Sequence, residues 1–387
     1  MRLAQRVQNL PPYVFADVAR RIREMEAAGR RVINLGIGSP DMPPPPFVVE
    51  AMQRAARDPA NHRYPGYTGT PELRRAIAAY YRRRFGVELD PDGEVLPLIG
   101  SKEGLAHVMW ALVELGDLVL VPTPGYPTYR YSVFMAGGEV FFLPLQPQNG
   151  FLPDLDAVPE EVYRRAVAMW VNYPHNPTGA VAPLDFYRQV VELARRYDFA
   201  VLSDNPYADV TFDGYRAPSF LEVEGAREVG IEFNSLSKTY NMAGWRVGMA
   251  VGNANLINAL MRVKSNVDTG IFLPLQAGAV VALEGPQDWV SERNAVYQER
   301  RDVLVAGLRA LGFDCQAPRA TLYVWARVPD GWTGESLADA LLERAGVWMT
   351  PGTFFGPGGE DFVRVAFTVD VSLIREALER VERALSE

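Results

Sequence analysis

Residues 235–248 read Ser-Leu-Ser-Lys-Thr-Tyr-Asn-Met-Ala-Gly-Trp-Arg-Val-Gly, a lysine among small hydroxyl side chains with an arginine eight residues later. Only three of the 39 basic residues are lysines, Lys102, Lys238 and Lys264, and the other 36 are arginines. Because a guanidinium cannot replace a nucleophilic amine, a lysine retained in such a chain indicates chemistry. Hydroxyl groups and an arginine suit a phosphate. The stretch therefore predicts a Schiff base between Lys238 and pyridoxal phosphate, with a serine-rich turn and a solvated lysine as the alternative.

The composition is that of a globular protein with room for two domains. The chain has 387 residues, of which 48% are hydrophobic and 22% charged. A net charge of −8 argues against a nucleic-acid surface but allows a positive pocket for an acidic ligand. The single cysteine, Cys315, excludes an internal disulfide framework. Without a signal-peptide core or a transmembrane run, we expect a cytoplasmic protein with no membrane partner.

Alternating apolar runs and helical patterns predict an α/β fold. Helical patterns at about 102–115, 126–136, 184–197 and 254–266 separate runs that read as strands. The alternation favours a mostly parallel, seven-stranded sheet covered by helices on both faces. The seven runs are Val95–Ile99, Asp117–Val121, Val140–Leu145, Ala166–Val171, Phe199–Leu202, Gly230–Phe233 and Val247–Val251.

The order of predicted helices and strands changes after Gly285-Pro286. A long amphipathic helix comes first, followed by strands near 322–328 and 363–368 and helices near 335–345 and 371–385. These patterns predict a smaller α+β domain over residues 286–387. Residues 41–285 form the predicted large domain, whose ligands should lie at the carboxyl ends of its strands.

Three loops at predicted strand ends carry residues suited to a flat, phosphorylated ligand. Gly100–Gly104 lies between a strand and a helix, where backbone amides and a partial positive charge favour a phosphate; a plain N-cap by Ser101 is the alternative. Tyr126 offers a flat partner to a ring, although a lone tyrosine more often serves packing. Asp204 follows an apolar run, where a carboxylate is costly unless it is paired; a capping role is the alternative.

The lysine stretch resembles the corresponding segment of the class I and II aminotransferases, which are fold type I pyridoxal-phosphate enzymes. NYPHNPTG at 172–179 closely matches the Asn-Pro-Thr-Gly loop of that family. Within the family the likeness points to LL-diaminopimelate aminotransferases. It rests on GSKEG at 100–104, NYPHNPTGA at 172–180, VGIEFNSLSKTYNMAGWRVG at 229–248 and VKSNVDTGIF at 263–272. Asn234 departs from the histidine expected in the third of these runs.

The resemblance implies a role for each residue around the cofactor. Lys238 would hold pyridoxal phosphate and move the proton between the substrate and the cofactor. Asp204 would keep the ring nitrogen protonated, and Asn176 and Tyr207 would contact the ring 3′-oxygen. The remaining cofactor contacts would be Tyr126 stacked over the ring, and Ser101, Lys102, Ser235, Ser237 and Arg246 around the phosphate.

The resemblance also implies substrate contacts and a homodimer. Arg364, in an alternating strand, would clamp the substrate α-carboxylate; an exposed face of an edge strand is the alternative. Gly38 would lie beside that carboxylate, and Tyr13 in a segment that closes over the substrate. Tyr64 would cross the dimer interface to the partner's phosphate. Residues 1–40 would form an N-terminal arm and part of the small domain.

These residues predict a ping-pong aminotransferase acting on amino acids and 2-oxo acids. Aspartate-specific relatives bind the distal carboxylate with a partner-chain arginine, whereas residues 265–276 contain none and offer Asn266, Asp268 and Thr269. A substrate whose distal group carries an ammonium as well as a carboxylate suits these neutral and acidic side chains better than a carboxylate alone. LL-diaminopimelate with 2-oxoglutarate is therefore the predicted substrate pair.

Several other functions remain open. The chain could be a broad-specificity aspartate, alanine or aromatic aminotransferase, or an N-acyl-diaminopimelate aminotransferase. A fold type I lyase, decarboxylase or racemase and a non-catalytic regulator are further alternatives. The histidines His62, His107 and His175 lack metal-ligand spacing, so no metal site is expected.

Overall fold

Each of the seven apolar runs forms a strand, and the seven strands make one sheet. The computed structural model describes residues 1–11 and 14–386, so Tyr13 lies outside the described residues. The described strands are β1 (Ile33–Asn34), β2 (Val95–Leu98), β3 (Leu118–Thr123), β4 (Glu139–Pro144), β5 (Ala166–Asn172), β6 (Ala200–Asp204), β7 (Gly230–Ser235), β8 (Gly248–Gly252), β9 (Asp314–Cys315), β10 (Tyr323–Arg327), β11 (Val347–Trp348), β12 (Thr350–Pro351) and β13 (Phe362–Ala366). The described α-helices are α1 (Gln5–Asn9), α2 (Val14–Ala27), α3 (Pro46–Ala56), α4 (Pro71–Phe85), α5 (Ser101–Leu112), α6 (Thr128–Ala136), α7 (Glu160–Arg165), α8 (Leu184–Tyr197), α9 (Ala226–Val229), α10 (Leu236–Thr239), α11 (Ala254–Val267), α12 (Leu273–Glu284), α13 (Asp288–Ala310), α14 (Gly334–Ala340) and α15 (Val371–Ser386).

The large sheet has the strand order β2-β8-β7-β6-β5-β3-β4. Strands β4, β3, β5, β6 and β7 run parallel, whereas β8 is antiparallel to both β7 and β2. The predicted mostly parallel, seven-stranded sheet is therefore confirmed. All residues of β2, β3, β7 and β8 are buried, which explains why β2, β3 and β8 are mostly apolar along their whole length.

A second, antiparallel sheet, called the small sheet here, has the strand order β12-β13-β10-β9. Strand β13 lies inside it, and Arg364 is paired with Trp325 on one side and Thr350 on the other. The alternative that placed Arg364 on an exposed edge strand is therefore wrong. The N-terminal segment contacts the same region, since β1 pairs with β11 and Val18 of α2 packs in one cluster with Trp348.

Three of the described helices longer than ten residues have no counterpart among the sequence predictions. Helices α3 and α4 begin at Pro46 and Pro71, and a proline is well tolerated in the first turn because its missing N–H is not needed there. The four consecutive prolines at 43–46 favour a stiff connector when the sequence alone is considered, which hides the start of α3. Helix α12 packs against both and is apolar around most of its surface, so it has no helical periodicity to read. None of the helices within 1–11 and 14–386 is both long and apolar enough to cross a membrane.

Candidate active site

A cavity of about 350 Å³ lies where the carboxyl ends of β5, β6 and β7 face the small sheet. Its position follows the rule that open α/β sheets bind ligands at the carboxyl ends of their strands. Twelve of the fourteen predicted site residues line it: Gly38, Ser101, Lys102, Tyr126, Asn176, Asp204, Tyr207, Ser235, Ser237, Lys238, Arg246 and Arg364. Tyr64 does not line this cavity, and its side chain is 87% exposed. Tyr13 cannot be placed because it lies outside the described residues.

Lys238 lies in the single turn of helix α10, directly after β7. Ser235 begins that turn, and its hydroxyl accepts a hydrogen bond from the backbone N–H of Ser237 at 3.2 Å. The Lys238 ammonium donates to the backbone carbonyl of Gly38 at 2.8 Å, across the cavity from the large sheet. The sequence therefore brings the predicted nucleophile and the predicted substrate-side glycine into direct contact.

The charges around Lys238 favour its neutral, nucleophilic form. Burial lowers the pKa of Lys238; the nearby Tyr323 opposes this shift, and the positive charges of Arg364 and Arg246 add to it. A lowered pKa increases the fraction of free amine at neutral pH, which is the form that attacks a carbonyl and accepts a proton.

Asp204 supplies a buried carboxylate at the opposite side of the cavity. Its Oδ2 accepts a hydrogen bond from the Tyr129 hydroxyl at 2.6 Å, while Oδ1 is buried with no hydrogen-bond partner among the described residues. Burial raises the pKa of Asp204 to about 7; the Tyr129 hydrogen bond opposes the shift and the charge of Glu232 adds to it. A free carboxylate oxygen in a buried pocket suits a cationic N–H donor such as a protonated pyridine nitrogen.

Asn172, the last residue of β5, organises the loops beside Asp204. Its Nδ2 donates to the backbone carbonyl of Asp204 at 2.7 Å, and its Oδ1 accepts from the backbone N–H of Asn176 at 3.0 Å. On the neighbouring side the hydroxyls of Tyr207 and Tyr323 lie 2.9 Å apart. These contacts fix Asn176 and Tyr207 at the cavity wall, where both side chains can reach a ring substituent.

The remaining end of the cavity is positively charged. Ser101 is the first residue of α5, and Gly100 before it has φ 72°. A Cβ added at Gly100 would lie 2.2 Å from Nη2 of Arg246, so the glycine allows the guanidinium to sit against the start of the helix. Burial lowers the pKa of Lys102 and the adjacent Arg246 lowers it further. Two cations at a helix N-terminus, with Ser235 nearby, form a site for a phosphate.

Arg364 closes the cavity from the small sheet. The side chain is buried, with Nη2 donating to the backbone carbonyl of Gly36 at 2.7 Å and Nη1 to Oδ1 of Asn176 at 2.8 Å. Its guanidinium carbon lies 4.0 Å from the centre of the Tyr323 ring. A guanidinium fixed in this way presents a planar fork that matches a carboxylate.

Sequence reasoning missed four polar residues of this site: Ser39, Tyr129, Asn172 and Tyr323. Asn172 could have been found, since it ends a buried strand as Asp204 does. Tyr129 lies within α6 and Tyr323 within the alternating strand β10, where an aromatic residue usually indicates core packing. Their contacts to Asp204 and Tyr207 join distant parts of the chain and leave no local signal.

Together, the lysine, the buried carboxylate, the anion site and the arginine fork define a pyridoxal-phosphate enzyme that acts on amino acids. The chain belongs to the aminotransferase class I and II family, whose model matches residues 30–381. It is therefore a pyridoxal-phosphate-dependent aminotransferase, and its cavity fits that cofactor through the residues described above.

Similar proteins and structures support the same family. LL-diaminopimelate aminotransferase of Dehalococcoides mccartyi is 51% identical over 387 residues, covering 100% of both chains. The protein of that description from Desulforudis audaxviator is 53% identical over 99% of this chain and 97% of its own. Substrate-bound BacF of Bacillus subtilis has a TM-score of 0.95 at 38% identity, over 99% of this chain and 98% of its own. A Thermus thermophilus aspartate aminotransferase mutant has a TM-score of 0.92 at 33% identity, over 99% and 100%. The fold type I prediction is confirmed.

Proposed function

We propose that this chain transfers an amino group from LL-diaminopimelate to 2-oxoglutarate, as a cytoplasmic homodimer. The assignment of the substrate rests on the full-length sequence identity, 51% and 53%, to proteins described as LL-diaminopimelate aminotransferases in two organisms. Identity to the aspartate aminotransferase structure is lower, at 33%. The biosynthetic role of such relatives supports a cytoplasmic location.

The chemistry divides between the cofactor and the chain. Bound pyridoxal phosphate supplies the electron sink that makes the substrate Cα proton removable. Lys238 would hold the cofactor, and its free amine would move that proton. Asp204 would keep the ring nitrogen protonated, and Arg364 would bind the substrate α-carboxylate and so orient the substrate toward Lys238. Because the same groups serve donor and acceptor in turn, the first keto acid leaves before the second binds, which predicts ping-pong kinetics.

Residues 265–276, which include the end of α11, support the choice of substrate, although one of their polar groups is already engaged. Asp268 is bound to Lys264 at 2.6 Å, so its carboxylate is engaged within its own chain. Asn266 is exposed and Thr269 is half-buried. Asn266 Nδ2 donates to the backbone carbonyl of Arg262 at 2.7 Å, so the amide oxygen of Asn266 and the hydroxyl of Thr269 are the groups that this segment can offer to a distal ammonium and carboxylate in the partner's cavity.

The exposed residues around Tyr64 support the homodimer. Tyr64, Tyr67, Val267 and Phe272 are large apolar or aromatic residues with 87%, 45%, 54% and 41% of their surface exposed. An exposed apolar patch of this kind is typical of a protein–protein interface. A second copy covering it would bring Tyr64 to the partner's phosphate site.

Steady-state kinetics test this proposal. We expect kcat/KM for LL-diaminopimelate with 2-oxoglutarate to exceed that for aspartate with the same acceptor. N-succinyl-LL-diaminopimelate is the matched control, because it keeps the reacting end and removes the distal ammonium. A kcat/KM for aspartate or the succinylated donor equal to or above that for LL-diaminopimelate would refute the substrate and leave the aminotransferase assignment in place.

A further inference from the structure

Lys264 is the lysine whose presence the cofactor and substrate sites do not explain. It lies in the last turn of α11 and is completely buried. Its ammonium donates to Glu103 Oε1 at 3.0 Å, to Glu103 Oε2 at 3.2 Å and to Asp268 Oδ1 at 2.6 Å. An ammonium has three N–H donors, and all of them have carboxylate partners here. The larger, planar guanidinium would not fit this enclosed site, which explains a lysine in an arginine-rich chain.

Glu103 connects this ammonium to the phosphate end of the cavity. It is the third residue of α5, and its Oε2 also accepts from the backbone N–H of Ile99 at 2.5 Å. The carboxylate thereby holds the turn at Gly100 and Ser101, which faces the anion site. His107 Nδ1 lies 3.3 Å from Glu103 Oε1 on the other side.

Asp268 connects the Lys264 ammonium to the loop at Gly270, which lies against the segment that contains Tyr64. Its Oδ1 accepts from the backbone N–H of Gly270 at 3.1 Å. Gly270 has φ 96° and lies directly against Gly66, since an added Cβ would be 2.8 Å from the Gly66 carbonyl oxygen. Tyr64 precedes that glycine by two residues.

We propose that Lys264 is a positioning residue. In each protomer it would hold the turn at Gly100 and Ser101, beside the anion site, in place relative to residues 64–66 and 265–272, which would contact the partner subunit. Glu103, His107 and Asp268 have ligand atoms within 4.8 Å of one another, but the ammonium already bridges the two carboxylates. Without it, two partly buried carboxylates would repel and the turns they hold would move apart. The proposal rests on the homodimer of the proposed function.

Binding measurements on apoprotein variants test the proposal. Lys264→Met keeps the length of the side chain and removes its charge, and Asp268→Asn keeps an oxygen acceptor while removing one carboxylate. Arg301→Met is the matched control, because Arg301 of α13 is also a buried cation, paired with Asp302 on the same helix and with Asp213 outside it. For each variant the melting temperature, the Kd for pyridoxal phosphate and the dimer dissociation constant are measured.

Lys264→Met and Arg301→Met should both lower the melting temperature, but only Lys264→Met should weaken cofactor binding, by about tenfold, and weaken the dimer. Asp268→Asn should change both constants in the same direction by a smaller factor, and it carries the test if Lys264→Met does not fold. Unchanged constants in the Lys264 and Asp268 variants, or equal losses in Arg301→Met, would overturn the proposal. A wild type that does not use LL-diaminopimelate would refute the proposed substrate and leave these binding results standing.

Discussion

Lys238 combines a backbone carbonyl contact with a lowered pKa, and both follow from its place at the end of a buried strand. Lys238→Ala should abolish transamination and the visible absorbance of the covalently held cofactor. Lys238→Arg should be equally inactive, because a guanidinium keeps the charge but is neither a nucleophile nor a base near pH 7. Absorbance spectra and single-turnover assays check both variants. A wild-type absorbance spectrum in either variant would show that Lys238 is not the residue that holds the cofactor covalently.

Arg364 acts through the shape of its fork as much as through its charge. Arg364→Lys should lower kcat/KM for every amino donor by a similar factor, equivalent to about 2–4 kcal/mol for a desolvated clamp. Arg327→Lys is the matched control, since Arg327 belongs to the neighbouring strand of the small sheet and its side chain is 59% exposed. Equal kcat/KM values for wild type and Arg364→Lys would exclude the clamp.

Asp204 gives the apoprotein a defined pH dependence of stability. Burial raises the pKa of Asp204 from its ordinary 3.8 to about 7, so the folded state binds a proton that the unfolded state has already lost. The contribution of Asp204 protonation to the free energy of unfolding is therefore fully present below pH 3.8 and is lost as the pH rises to 7. The loss is at most about 4 kcal/mol. Glu232, whose pKa burial also raises to about 7, acts in the same direction.

Urea unfolding of the apoprotein at several pH values checks this expectation, with Asp204→Asn as the control. The stability of wild type relative to Asp204→Asn should fall between pH 4 and 7. Adding pyridoxal phosphate should reduce the fall, because a protonated ring nitrogen stabilises the ionised carboxylate. A constant difference between the two apoproteins across this range would contradict the raised pKa.

At the scale of the elements, the sequence predicted best where local chemistry and strand position coincide. Asn176, Asp204 and Lys238 follow apolar runs that became β5, β6 and β7, so a single sheet edge collects them. Tyr323 could not be found in this way. It reaches Tyr207 only because the small sheet faces the large one, and no local pattern encodes that approach. The apolar helix α12 was missed because it lacks the periodicity on which such predictions depend.

The turn before α5 allows a test of how an element shapes the phosphate site. Gly100 and Gly86 both have a positive φ, 72° and 71°, although their ψ angles differ, at 153° and 16°. Only at Gly100 would an added Cβ collide with Arg246. Gly86→Ala should cost about 1 kcal/mol of stability through its left-handed backbone. Gly100→Ala should cost more, about 1–3 kcal/mol, because its combination of φ and ψ is accessible almost only to glycine. Only Gly100→Ala should weaken pyridoxal phosphate binding. Fluorescence titration of the two apoproteins measures this, and equal cofactor affinities would show that Arg246 does not depend on the glycine.

At the scale of the whole molecule, the proposed homodimer would add a residue of the second chain to the site. Within one chain Tyr64 is exposed and does not line the cavity, although the family resemblance assigns it to a phosphate. A residue that crosses a twofold interface is expected to make no contact with the cavity of its own chain, as observed for Tyr64. No single-chain pattern can show this, because the partner's surface is not adjacent in sequence or in the protomer.

Mixed dimers of Lys238→Ala and Tyr64→Ala decide whether Tyr64 acts across the interface. If it does, one site of the mixed dimer carries both changes, while the other combines an intact Lys238 with the Tyr64 of the Lys238→Ala chain and is native. Random mixing makes roughly half of the dimers mixed, so about a quarter of all sites should bind the cofactor with wild-type affinity. If Tyr64 instead serves its own cavity, no site in the mixture is native. Titration of refolded mixtures with pyridoxal phosphate separates the two outcomes, because neither parent variant alone has a wild-type site.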